Sequence, residues 1–269
     1  MGLLSTYLEL VFGKMLTLQS DNIKALENRL DKILVEKGLV SSRERAKALI
    51  QSNAVLVNHT ITNKPGKIIS SDDQIELLEQ DIPWVSRGAL KLVAALQQFS
   101  VNPLEKVCLD IGASTGGFTE VLLEQGAKLV FAVDVGHGQL VEKLRQDKRV
   151  VNLEKTHVKD LNVKSIFQKP VLCVIDVSFI SLEKVLPFLP LILASKSEII
   201  ALIKPQFEVG KSNLNKQGIV KNDKLYPEVF KRIRHCAQLS GFETKEIMDS
   251  PIFGGDGNKE FLIHLSREN

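Results

Sequence analysis

Apolar residues recur along the chain in two rhythms. From Asn28 onward, Leu30, Ile33 and Leu34 repeat at helical spacing, and Gly38 closes that predicted helix. Ser41, followed three residues later by Glu44, forms a capping box that predicts a second helix. Ala46, Leu49 and Ile50 make its inner stripe, with Arg43, Arg45 and Lys47 on the other side. The pieces VLV, TIT, KII and IELL come next, short and β-branched, separated by Asn-His, Lys-Pro-Gly and Asp-Asp turns. Residues 28–79 therefore read as a small α+β domain of two helices and a sheet, and residues 80–85 as a polar connector carrying a proline.

Beyond Trp84 the rhythm changes. Residues 86–98 read as a helix with Leu90, Val93, Ala94 and Leu96 inward. The runs VCLDI, LVFAVDV, VVNL, VLCVID and IIALIK are continuously apolar and alternate with amphipathic stretches, among them GFTEVLLEQ and GQLVEKLRQ. A helix near 224–239 leads to final strands at FETKEIMD and EFLIHL. Continuous apolar strands between amphipathic helices predict an α/β domain over 86–269, its parallel sheet covered on both faces.

The first 27 residues form a separate extension, moderately apolar but interrupted by Glu9 and Lys14. They lack a basic leader and a small-residue cleavage site, so a secretory signal fits poorly. A short helix, a disordered arm and sequence upstream of a start at Met15 remain open readings.

Composition narrows the class. The 269 residues suit two domains, and 44% hydrophobic with 25% charged residues is the balance of a globular protein. A net charge of +3 permits a nucleic-acid partner without requiring one. Cys108, Cys173 and Cys236 are far apart with no C-x-x-C, which suits a reducing cytoplasm. The five histidines make no metal-binding pattern, so no metal is expected. No apolar run approaches the roughly 20 residues that span a bilayer, so no membrane association is expected either.

Candidate chemistry begins at LDIGASTGGFTE, residues 109–120, a strand, a glycine-rich turn and a helix start. In doubly wound sheets a ligand binds beyond the carboxyl ends of the strands at this turn. Asp110, Gly112, Ala113, Ser114, Thr115, Gly116, Gly117, Phe118 and Thr119 are the expected cofactor contacts. Gly112 lets the backbone turn, and Gly116 and Gly117 leave room for a ligand. The pattern is neither G-x-G-x-x-G nor a P-loop. Asp134 ends the next strand, 22 residues beyond Gly112, where an acid accepts ribose hydroxyls. Asp110 nearby favours a cationic ligand, and the set suits S-adenosylmethionine. Four further charges stand out: Lys91 on the preceding helix, Asp176 and Lys204 ending two apolar strands at the same rim, and Glu260 opening the last strand.

WVSRGALKL, LDIGASTGGFTEVLLEQGA, DVGHGQL, DVSFISL, IKPQFEVGK and GNKEFLIHL stand in an order and spacing that resembles the TlyA family, bacterial proteins known as haemolysins or as ribosomal-RNA 2′-O-methyltransferases. The resemblance runs from about Arg29 to Leu265. It implies an FtsJ-like Rossmann-type methyltransferase domain behind a small RNA-binding domain first known from a ribosomal protein. It implies S-adenosylmethionine as cofactor and a Lys-Asp-Lys-Glu tetrad at Lys91, Asp176, Lys204 and Glu260. Lys204 would deprotonate or hydrogen-bond a ribose 2′-hydroxyl, Asp176 and Lys91 would tune and align it, and Glu260 would complete the charge network. The expected activity is 2′-O-methylation of cytidine in ribosomal RNA. Family members without a C-terminal extension favour the large subunit, and this chain resembles that type. Arg43, Arg45, Lys47, Lys64, Lys67 and Arg87 would meet RNA phosphates, and the connector Ile82–Val85 would couple RNA docking to the cofactor site, unless Trp84 merely packs. A non-catalytic ribosome-assembly factor and a membrane-active haemolysin are the rival readings. Oligomeric state is not legible.

Overall fold

The computed structural model describes residues 28–268, apart from Ser41, Ser52 and residues 79–81, and in the second helix it leaves out the side chains of Glu44 and Ala48. The N-terminal extension, the Ser41–Glu44 capping box and the Gln80–Asp81 part of the connector lie outside the described residues. The chain divides into two compact units between Asp81 and Ile82.

The first unit holds β1 (Asn28–Arg29), α1 (Leu30–Glu36), α2 (Arg43–Gln51), β2 (Val55–Val57), β3 (Thr60–Ile61), β4 (Ile68–Ile69) and β5 (Ile75–Leu77). Leu30, Ile33 and Leu34 of α1 pack on Ala46, Leu49 and Ile50 of α2, as the helical spacing predicts. Ser42 caps α2, its hydroxyl accepting the Arg45 N–H at 3.2 Å. Two antiparallel sheets, β1-β4 and β3-β2-β5, complete the unit. Between the helices lies a buried carboxylate that the hydrophobic pattern conceals. Asp31 is fully buried and accepts from Arg29 Nε at 3.0 Å and Arg43 Nη2 at 3.1 Å. The Arg29 hydrogen bond, helped by Arg43, holds its carboxyl down at about 2.

The second unit comprises α3 (Ala89–Gln98), β6 (Val107–Ile111), α4 (Gly117–Glu124), β7 (Leu129–Val133), α5 (Glu142–Arg145), β8 (Val150–Leu153), β9 (Leu172–Ile175), α6 (Leu189–Ile192), β10 (Ser197–Ile203), α7 (Pro205–Glu208), α8 (Tyr226–Leu239), β11 (Glu243–Asp249) and β12 (Phe261–Arg267). One seven-stranded sheet runs β11-β12-β10-β9-β6-β7-β8. Its neighbours from β10 to β8 pair in parallel. Ala89, Leu92, Val121 and Leu122 of α3 and α4 pack on one face, and Val229, Ile233 and Ala237 of α8 on the other. Trp84 and Val85, predicted as connector, group with this unit. The Trp84 indole donates to Glu124 Oε2 at 2.6 Å, and Val85 N donates to Glu120 Oε2 at 2.7 Å, both on α4.

Three details differ from the sequence reading. The sheet is mixed, because β12 runs antiparallel to both β10 and β11. The loop between β11 and β12 is too short for the helical crossover that parallel neighbours need. The inward face of α3 is Ala89, Lys91, Leu92, Ala95 and Leu96, leaving Leu90, Val93 and Ala94 half-buried. The helix is rotated because Lys91 turns inward to a buried carboxylate. Finally, α5 is a single turn, since the residues before it form a loop.

Strand β6 also buries an acid. Asp110 faces α4, accepting from Thr119 Oγ1 at 2.7 Å through Oδ2 while Oδ1 has no partner. Burial pushes its carboxyl up to about 7.

The two acids make opposite predictions. Ion-paired Asp31 stabilises the first unit fully above about pH 4, and this share fades as pH falls toward 2. Hydrogen bonds to charged groups are worth about 1.5–3 kcal/mol, so Asp31→Asn should speed amide exchange in peptides spanning α1 and α2 by about tenfold or more at pH 7. Unchanged exchange would refute it. Asp110 does the reverse: its contribution is complete below about pH 4 and is lost as pH rises through about 7. Urea melts followed by Trp84, the one tryptophan, should show the second unit weakening from pH 5 to 8, with the slope flattened in Asp110→Asn. A parallel slope in the variant would contradict the assignment.

Candidate active site

The parallel strands deliver their carboxyl ends to one rim. Directly after β6, Gly112 adopts φ +86°, and a Cβ there would sit 2.4 Å from the Asp176 carbonyl oxygen. Only glycine lets this turn pass so close to the end of β9. Gly116, at φ +102°, is required for another reason than the one the sequence suggested. A Cβ there would strike Leu144 Cδ1 at 2.2 Å, so the space is filled by α5 rather than left for a ligand. At Gly117 the corresponding space holds the Ser86 hydroxyl, 2.2 Å away.

Two hollows adjoin along this rim and share Gly112, Ser114 and Asp176. The larger, about 680 Å³, is lined by Asp134, Gln139, Thr156, His157 and Phe179 among others. Asp134 Oδ2 accepts from Ser114 N at 2.8 Å and Oδ1 from Gly136 N at 2.7 Å. A carboxylate offers about four lone-pair positions, so each oxygen retains one for a ribose hydroxyl. The volume lies in the range of small-molecule sites, roughly 300–1,000 Å³, and the residues present fit S-adenosylmethionine. The loop bearing Gln139 is fixed by Glu154, a residue the sequence reading passed over. Its Oε1 accepts from Gln139 N at 2.7 Å and Leu140 N at 3.1 Å. Those backbone donors, Leu140 foremost, lower its carboxyl to about 2.

The smaller hollow, about 240 Å³, is lined by Ala113, Thr115, Gly117, Phe118, Arg87 and Lys91 among others. The four charges form two pairs, and Glu260 and Lys204 themselves line neither hollow. Lys91 Nζ lies 2.5 Å from Glu260 Oε2, with side chains only 9% and 3% exposed. Lys204 Nζ lies 2.6 Å from Asp176 Oδ1 and donates to Ser178 Oγ at 2.9 Å. Lys91 and Asp176, one from each pair, line the same hollow. Ser178 was missed; its only sequence signal is its place two residues beyond Asp176.

Other expected contacts sit elsewhere. Asp110 and Thr119 are fully buried and line neither hollow, because β6 turns this acid under α4; Gly116 lines neither as well. In the first unit, Arg43 is engaged by Asp31, which gives it a fold-holding role the sequence did not suggest. Lys64 is exposed, whereas Arg45, Lys47 and Lys67 are half-buried. Among the described residues no group of three or more His, Cys, Asp or Glu is placed to hold a metal, and no helix is long and apolar enough to cross a membrane.

The sequence pattern of the FtsJ-like methyltransferases matches residues 84–267, and that of the S4 domain residues 28–75. The chain is 41% identical to the 16S/23S rRNA (cytidine-2'-O)-methyltransferase TlyA of Mycobacterium tuberculosis, over 88% of this chain and 89% of that protein. It is 42% identical to Hemolysin A of Brachyspira hyodysenteriae, over 88% and 99%. A solved structure from Streptococcus thermophilus, 41% identical, superposes with a TM-score of 0.71 over 90% of this chain and 89% of that one. With a match to that pattern over most of its length and relatives this similar, the chain belongs to the FtsJ-like methyltransferase family, in the group that includes TlyA and Hemolysin A.

Proposed function

We propose that this protein transfers a methyl group from S-adenosylmethionine to the 2′-hydroxyl of a cytidine in ribosomal RNA. The observation that carries the reading is the pair of adjoining hollows, one walled by Asp134 and the other by Lys91 and Asp176, each of the latter bound to an opposite charge. The S4 match and the cations of the first unit support RNA as the partner. Two relatives whose names state a target, from Mycobacterium tuberculosis and Campylobacter jejuni, have 23S rRNA in common. We take large-subunit RNA as the primary substrate, which puts the work in the cytoplasm.

In this reading Asp134 holds the cofactor ribose, and the turn Gly112–Thr115 forms the floor between cofactor and substrate. When bound, S-adenosylmethionine supplies an electrophilic methyl on a sulfonium. The chain's own task is to hold the 2′-hydroxyl and take its proton. Lys204, anchored by Asp176 and Ser178, holds the hydroxyl oxygen, and the hydroxyl proton passes to Lys204 Nζ as that amine gives one of its own to the Asp176 carboxylate. Lys91 is held by Glu260 and keeps a positive charge at the wall of the substrate hollow, where it steadies the oxygen as negative charge develops. Arg43, Arg45, Lys47, Lys64, Lys67 and Arg87 contact phosphates and position the RNA without reading its sequence. The 2′-hydroxyl is what marks the substrate as RNA. Residues 28–79 serve as the RNA-binding domain and the segment from 86 onward as the catalytic one.

General-base and positioning effects of this kind are worth about 10²–10⁴-fold. Lys204→Ala should therefore cut methyl transfer to 50S-derived RNA by that factor while calorimetry shows cofactor binding intact. Wild-type turnover by the variant, or modified nucleosides other than 2′-O-methylcytidine on digestion, would overturn the reading. Asp134→Ala should weaken cofactor binding by about tenfold or more, the value of one or two charge-assisted hydrogen bonds. Equal affinity would remove Asp134 from the ribose site.

A further inference from the structure

One buried acid near the rim takes no part in the chemistry above. Glu208 ends α7, the single turn that begins directly after Lys204. Its side chain is buried. Oε2 accepts from Ser181 Oγ at 2.6 Å and Oε1 from Leu182 N at 2.9 Å. Ser181 and Leu182 end the loop that follows β9, and that loop carries Asp176 and Ser178.

The two segments meet at three places. Lys204 contacts Asp176 and Ser178. The Phe179 and Phe207 rings lie 5.2 Å apart. Glu208 takes both donors at the far end. Between them Phe179 holds φ +64°, an unusual conformation for a bulky side chain, which persists only when the surroundings enforce it. Burial raises the Glu208 carboxyl above its ordinary range, and the hydrogen bonds from Ser181 and Leu182 offset part of that cost. Arg232 secures the same turn by donating to the Glu208 carbonyl at 2.7 Å.

We propose that Glu208 is a positioning residue: by clamping Ser181 and Leu182 it sets the Asp176–Ser178 segment against Lys204 for the transfer proposed above, a reading on which this inference rests. It touches neither hollow and acts only through the Lys204–Asp176 pair.

The test compares Glu208→Ala, which removes both bonds, with Glu208→Gln. The glutamine oxygen can accept from Leu182 N while its amide donates to Ser181 Oγ. The first readout uses the full chain without cofactor or RNA: acylation rates of individual lysine amines, measured by peptide mass spectrometry. Lys204 should label about tenfold faster in Glu208→Ala, and at the wild-type rate in Glu208→Gln, while Lys91, held by Glu260, stays unchanged. The second readout is turnover. Misplacing a reacting group by about 1 Å can cost about 10²-fold, so kcat should fall by up to that factor with KM for the cofactor nearly constant, and Glu208→Gln should restore it. Should Glu208→Ala fail to fold, Ser181→Ala removes one bond and should give a smaller change in the same direction. Unchanged Lys204 labelling, or Lys91 and Lys204 rising together as in general loosening, would overturn the clamp. If the wild-type chain transfers no methyl to RNA, the functional reading fails by itself, and the labelling still decides whether Glu208 positions Lys204.

Discussion

A group that carries charge out of water must be paired or give the charge up, and the buried Lys91–Glu260 pair meets that demand in the second unit. Lys91 and Glu260 are 169 residues apart in the chain, yet the structure brings them to one buried contact. An unpaired ammonium or carboxylate at that depth would cost several kcal/mol, roughly, even after relaxation. The pair therefore constrains two elements together. It fixes the rotation of α3, and it ties that helix to the segment entering β12. Asp176 and Lys204 repeat the arrangement across two adjacent parallel strands, closer to solvent. Each charge has its partner, so the smaller hollow is walled by charges already held in place.

Much of this is legible in the amino-acid sequence. The two rhythms of apolar residues separated a small α+β unit from an alternating one, and the stripes of α1 and α2 fall where 3.6-residue spacing puts them. The glycine turn and the acid at the end of β7 were visible because local backbone demands leave a local trace. What stayed hidden was non-local. Nothing near Lys91 announces that it points inward, so α3 was read by its apolar residues alone and its face was misplaced. The direction of β12 depends on a loop length and on which gap in the sheet remains to be filled.

The role of each polar group was harder still. Asp110 stands in the most informative stretch of the sequence, and that prominence suggested ligand contact. The pleat decides otherwise. Val107, Leu109 and Ile111 pack in one core layer and Cys108 in the other, so Asp110 shares the face that α4 covers. The pairing of Arg43 with Asp31 was hidden for a similar reason, because a basic helix face looks identical whether or not one of its cations also meets a carboxylate from the neighbouring helix. Asp31 and Glu208 left no signal, since a lone acid in an otherwise ordinary helix is unremarkable until its surroundings are known.

The place of β12 has a consequence for how the protein is made. It follows both β10 and β11 in the sequence yet lies between them in the sheet, and Glu260 immediately precedes it. During synthesis the strands emerge in order, and the gap between β10 and β11 stays open until residues 261–267 leave the ribosome. The elements of the first unit all lie within residues 28–77 and emerge before the second unit begins. The nascent polypeptide thus passes through a stage with a finished RNA-binding module and an incomplete catalytic one, and Lys91 gains its counter-charge only after Glu260 has emerged, 169 residues later.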